Sequence, residues 1–169
     1  MWFYILLFSF CIFLLILNNF IKMNHKKIFE ITSLIILCLI SGTRYYLGGS
    51  DYYIYETVFN GLPTLKDFII NFAHIHNYYP TYGFESGYLF INSLIKTLGL
   101  NFFGFTLINS IFFYTCLYIG FKKYSFNFNL LIIVFLYKVF FYNTFISMRQ
   151  SITLAIFFLA IKYIEEKKL

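Results

Sequence analysis

Residues 41–85 read SGTRYYLGGSDYYIYETVFNGLPTLKDFIINFAHIHNYYPTYGFE, the one long polar interruption in an otherwise apolar chain. The stretch holds both prolines, Pro63 and Pro80, the acids Asp51, Glu56 and Asp67, and two of the three histidines, and it closes on Glu85. Around it, hydrophobic residues make up 60% of the 169-residue sequence and charged residues 12%, with a mean hydropathy of +0.75. That leaves too little polar surface for a water-soluble domain of this length. The expected fold is therefore all-α: a polytopic membrane helix bundle forming a single integral membrane domain over residues 1–169.

Working outward toward the N-terminus, Ile28–Thr43 is a short apolar segment that reaches a membrane span by snorkelling of Lys26 and Lys27. Before it, Trp2–Asn18 approaches the roughly 20 residues needed to cross a bilayer. The link between them carries Lys22, Lys26 and Lys27. By the positive-inside rule that link is cytoplasmic, the N-terminus is outside, and Arg44 emerges on the outer face. Trp2–Leu17 has neither a basic leading region nor a small-residue cleavage site, so it reads as a retained helix.

Residues 44–84 then form an external loop of about 40 residues, long enough to be functional and punctuated into turns and short helices by glycine and proline. Glu85–Leu98 admits two readings. Leu89, Phe90, Leu94 and Leu98 lie near one helical face while Glu85, Asn92, Ser93 and Lys96 interrupt the rest, a pattern closer to an interfacial or re-entrant helix than to a span. On that reading Phe102–Gly120 crosses inward, Leu130–Tyr142 outward and Gln150–Ile164 inward, about five spans in all, with every lysine pair inside. If Glu85–Leu98 spans instead, Lys122–Lys123 and Lys167–Lys168 fall outside.

The formal charge of +6 is spread as short basic clusters between apolar runs, the pattern of orientation determinants, and no nucleic-acid partner is expected. Cys11, Cys38 and Cys116 sit singly in apolar runs and support neither a disulfide framework nor a metal site. His74 and His76 alternate on an irregular loop without a third ligand at a recognisable spacing, which is weak ground for a metal. No cofactor is expected. Lys138, inside FLYKVFF, is placed to snorkel or to face the charged cluster.

Chemistry points to residues that the expected topology gathers at the outer helix ends: Arg44, Asp51, Glu56, Glu85 and Arg149. The two arginines stand against eleven lysines, and a planar fork that grips phosphate oxygens through two nitrogens requires arginine. Helix-end snorkelling is the plainer account of each. Charges near the membrane boundary need partners, which makes Glu85 and Asp51 natural counterparts of these arginines. A carboxylate that takes a proton from a sugar hydroxyl must lie within hydrogen-bond reach of it. Asp51, after the flexible Gly48–Gly49, is the first candidate base and Glu85 the second; an arginine–aspartate structural clamp is the rival account. The tyrosines of the loop, Tyr45 and Tyr52 among them, suit the headgroup level or sugar stacking.

GTRYYLGGSDYYIYE, FESGYLFINSLIKTLG and SMRQSITLAIFFLAIKYIEEKK, in that order and at these separations, resemble the EpsG family of bacterial membrane proteins, relatives of Wzy-type polymerases that join exopolysaccharide or O-antigen repeat units. The likeness runs from about Ser41 to Leu169. It carries over Arg44, Gly49 and Asp51, then Glu85, Gly87 and Tyr88, then Arg149 and Gln150. Such proteins usually continue through further membrane helices, so the chain is expected to be an N-terminal part or a short member.

The resemblance implies polymerisation of polyprenyl-pyrophosphate-linked oligosaccharides at the outer face of the cytoplasmic membrane by a glycosyltransferase-like enzyme without a metal. Asp51 and Glu85 would be the catalytic acids. Arg44, Arg149, Gln150, Tyr45, Tyr52 and Tyr88 would contact pyrophosphate or glycan. Membrane lipid, a chain-length regulator and a flippase are the implied partners. A non-catalytic glycolipid binder or export-complex subunit, and a membrane acyltransferase using His74 or His76, are the alternatives.

Overall fold

The computed structural model describes residues 23–44, 49–72, 83–122 and 146–165, with a subset of the positions from 5 to 20. All regular structure among them is helical, and the described positions between 5 and 20 are helical as well. The helices with defined bounds are α1 (Met23–Gly42), α2 (Gly49–Gly61), α3 (Leu65–Ile70), α4 (Ser86–Thr97), α5 (Phe102–Phe121) and α6 (Met148–Glu165). The expected Leu130–Tyr142 span lies outside the described residues, as do Tyr45, His74, His76 and Lys138.

α5 is, among the described residues, the helix long and apolar enough to cross a membrane; its 20 residues extend about 30 Å. Asn101 caps it, accepting a hydrogen bond from the Gly104 N–H at 2.9 Å. α1 begins five residues earlier than the apolar run that marks it, taking in Lys26 and Lys27. Lysine is a good helix former, so the helix runs on to 20 residues beyond the short apolar segment.

Cross-helix contacts fix the directions. α1 and α5 are antiparallel: Thr106 donates to the Gly42 carbonyl at 2.7 Å and the Ser41 and Tyr114 hydroxyls meet at 2.8 Å, while Lys122 pairs with Glu30 at 3.0 Å at the opposite end. α5 and α6 are parallel, with Asn109 donating to the Ser151 hydroxyl at 2.8 Å near their starts and Gly120 against Phe158 further down. A Cβ on Gly120 would lie 2.3 Å from the Phe158 carbonyl oxygen, so this approach of two backbones requires glycine.

It follows that residues 43–101 leave and re-enter the bundle at the same end. Within them α2, α3 and α4 form a cap. α4 has 12 residues and extends about 18 Å, short of a hydrocarbon core. Lys96 on α4 donates to the Phe59, Asn60 (2.7 Å) and Leu62 carbonyls, closing the end of α2. The Leu65 N–H donates to the Thr97 hydroxyl at 2.8 Å and starts α3. Gly99, at φ +78°, ends α4 in the left-handed conformation and turns the chain into α5.

Packing sets which side of α4 faces out. Phe90, Leu94 and Leu98 are exposed, whereas Asn92 and Ser93 are buried beside Tyr88, Leu89 and Ile95. The polar residues turn toward neighbouring helices, and the apolar side faces outward as it does where the surrounding medium is lipid.

Candidate functional site

The Arg149 guanidinium, on the first turn of α6, reaches across to the residues that lead into α4. Its Nη1 donates to Glu85 Oε1 and Oε2 at 3.2 and 3.1 Å and to the Gly83 carbonyl. Arginine in a first helical turn opposes the helix dipole, and the facing carboxylate offsets that cost. Glu85 occupies the N-cap position of α4 yet makes no side-chain cap, its carboxylate going to Arg149 instead. All of these contacts use a single nitrogen, so the guanidinium is not locked to Glu85 as a two-nitrogen fork.

An aromatic wall supports the pair. The Arg149 guanidinium lies 4.8 Å from the Phe84 ring centroid, a cation–π contact, and Phe84 stacks on Tyr88 at 5.5 Å. Tyr55 packs edgewise on both at 5.5 and 5.8 Å and interacts with Arg149 through its phenol. Burial pushes the Tyr88 phenol up, against the opposing pull of the Arg149 and Arg44 charges. Tyr88 therefore stays protonated, and both arginines bear on it.

Glu85, Gly87, Tyr88 and Ile91 on one side, and Arg149, Gln150, Ile152 and Thr153 on the other, line a cleft of about 360 Å3. One wall is the first turn of α4, where backbone N–H groups lack intrahelical acceptors. Nothing would lie within 4 Å of a Cβ on Gly87, so that glycine leaves the wall open.

The structure thus brings Glu85, Tyr88, Arg149 and Gln150 together. Arg44 is buried at the end of α1, and its charge acts on the same tyrosine. Tyr52 corrects its reading as a headgroup or sugar-stacking residue: it is fully buried, 5.2 Å edge-on from Phe102, and belongs to the cap core. Asp51 is not a flexible-loop residue either. It lies in the first turn of α2, accepting from the Ser50 hydroxyl at 3.4 Å, where a carboxylate suits the helix dipole, and it does not line the cleft. Tyr45 lies outside the described residues. Sequence reasoning missed Phe84, although an aromatic immediately before the acid in FESGY was a signal for it, and reached Tyr55 only as one of the loop tyrosines.

A helical chain with a membrane-length apolar helix that turns apolar side chains outward and buries polar ones is a membrane protein, and its arginine–carboxylate cleft lies where the short-helix cap meets the bundle. The EpsG family model matches residues 27–169, and the chain belongs to that family. Membership makes it a polysaccharide-polymerase-like membrane protein in a pathway with lipid-linked substrates. Comparison with curated proteins and with solved structures finds no match.

Proposed function

We propose that the chain joins lipid-pyrophosphate-linked oligosaccharide repeat units at the outer face of the cytoplasmic membrane, with the Arg149–Glu85 cleft as its reaction centre. The observation that carries this reading is the guanidinium held by one nitrogen against a carboxylate, inside a cleft, in a family of polymerase-like proteins. Five spans, with the cap outside and the lysine pairs inside, is the topology that goes with it; antiparallel α1 and α5 support it, because a spanning α4 would make them parallel.

In the proposed reaction the acceptor sugar hydroxyl attacks the anomeric carbon of the donor, a carbon–oxygen bond forms, and the bond from that carbon to the pyrophosphate breaks. Glu85 takes the hydroxyl proton. Arg149 carries the charge that grows on the departing pyrophosphate, and Arg44, buried and outside the cleft lining, adds only its charge from a distance. Glu85 replaces Asp51 as first choice of base because it lines the cleft and Asp51 does not. Tyr88 and Phe84 offer ring faces to a glycan, and Gln150 a polar contact. Chain-length regulator and flippase remain the proposed partners.

A second reading, a glycolipid-binding protein without chemistry, draws on the same ion pair, since Glu85 gives both carboxylate oxygens to Arg149. Substitution Arg149→Lys separates chemistry from anchoring. It keeps the charge, loses the fork, and is expected to lower polymer formation about 30- to 1000-fold, the worth of roughly 2–4 kcal/mol at a leaving group. The assay is polymer length in a strain whose own polymerase is deleted and replaced by this chain, or by a longer form containing it. Wild-type lengths from the lysine variant would remove the pyrophosphate role.

A further inference from the structure

Ile91 of α4 and Ile152 of α6, which line the Arg149 cleft, also line a second cavity of about 230 Å3 whose walls include Ile95, Phe105, Ile108 and Ile156. Cleft and cavity thus adjoin at Ile91 and Ile152, the first charged at the cap end and the second mostly apolar between α4, α5 and α6, and together they offer one trough. The trough opens sideways. Ile108 and Ile156 are 36% and 55% exposed, on a surface that also carries Phe112.

A larger apolar groove, about 400 Å3, runs between α1 and α5 past Ile35, Leu39 and Ile111, and none of its lining residues is charged. The two differ in what they can hold. An apolar groove alone accommodates any hydrocarbon, whereas an apolar groove ending at a guanidinium selects a hydrocarbon with an anionic head.

We propose that the trough takes the hydrocarbon chain of a prenyl pyrophosphate, its head at Arg149 and its first isoprene units between α4 and α6, entering from the bilayer through the opening at Ile108 and Ile156. The identity of the lipid rests on the proposed function; the path of the chain rests on the two cavities adjoining at Ile91 and Ile152. Head and tail are held by separate walls, so each can be removed without the other. Chain binding at this place also orients the head, because a tail fixed along α6 brings the phosphates to the helix start where Arg149 lies.

The test is equilibrium binding to the purified full chain in detergent, with a farnesyl-length prenyl pyrophosphate and with inorganic pyrophosphate. The prenyl compound is expected to bind at least about tenfold more tightly, since several CH2 groups leave water. Ile156→Trp and Ile108→Trp fill the trough from exposed positions and should bring the prenyl compound down to the affinity of inorganic pyrophosphate, which itself stays unchanged. Ile111→Trp, in the other groove, should alter neither. Prenyl affinity that survives both trough variants, falls with Ile111→Trp, is competed equally by phosphatidylglycerol, or is absent from the wild type would overturn the proposal. A chain that binds as described yet makes no polymer would retire the polymerase reading and leave the trough standing; polymer formation indifferent to Ile156→Trp and Ile108→Trp would do the reverse.

Discussion

α2 and α5 solve burial in opposite ways. α2 buries Tyr52, Tyr55, Val58 and Phe59 at helical spacing and leaves Tyr53, Ile54, Thr57 and Asn60 outside, an outer face that mixes apolar and polar residues. α5 buries Thr106, Asn109 and Ser110 and leaves Ile108, Ile111, Phe112 and Ile119 on its surface. Its polar side chains bond across to α1 and α6, while apolar ones cover the exterior. The exposed face of α5 is thus mostly apolar, whereas that of α2 mixes Tyr53 and Ile54 with Thr57 and Asn60. Both cores use aromatic contacts, around Phe59, Phe102 and Phe105 in the cap and around Phe113, Phe121 and Phe158 in the bundle, but the bundle adds close helix approach at Gly42 and Gly120.

The sharpest way to break this contrast is to put the same charge on both surfaces. Ile111→Lys, near the middle of α5, should cost about 2.5–3.5 kcal/mol of insertion free energy, read as loss of the membrane-inserted fraction in a glycosylation-tag insertion assay. Thr57→Lys on α2 should stay within about 0.5 kcal/mol. Equal effects would erase the distinction between the two surfaces.

Gly120→Ala sharpens the bundle side. The added methyl meets the Phe158 backbone, which has no side-chain freedom to yield, so a loss of about 1–3 kcal/mol is expected, seen as a lower Tm in detergent. The smallest effect belongs to the cap: Lys96→Met removes the donor that closes the end of α2 and should cost about 1 kcal/mol. It should show as faster amide exchange over residues 58–62 with α5 unchanged.

Much of this architecture is legible in the residues. The apolar run at Phe102–Gly120 and the break at Glu85 mark α5 and α4 to within a residue or so, because length and hydropathy decide both. The facing of α4 is not legible, since its apolar positions cover an arc that serves equally against a core or against lipid; only packing on α2 and α3 selects which. In the cleft, Arg149 and Glu85 stand out through residue type, one of two arginines and an acid at a helix start. Asp51 and Tyr52 misled for a shared reason: the polar loop hides a 13-residue helix whose own dipole and core account for both. Phe84 and Tyr55 were invisible as a pair because they come from segments nearly thirty residues apart that meet only in the fold.

The account turns on the cap occupying one end of the bundle, on the outer face, with the end of α5 on the other side. The direct measurement is labelling with a membrane-impermeant thiol reagent in intact cells, in a background lacking Cys11, Cys38 and Cys116, comparing Asn60→Cys with Ser125→Cys. Labelling of the first alone is the expected result. Labelling of both, or of Ser125→Cys alone, would contradict the arrangement and take the Arg149 cleft away from the side where the repeat units are joined.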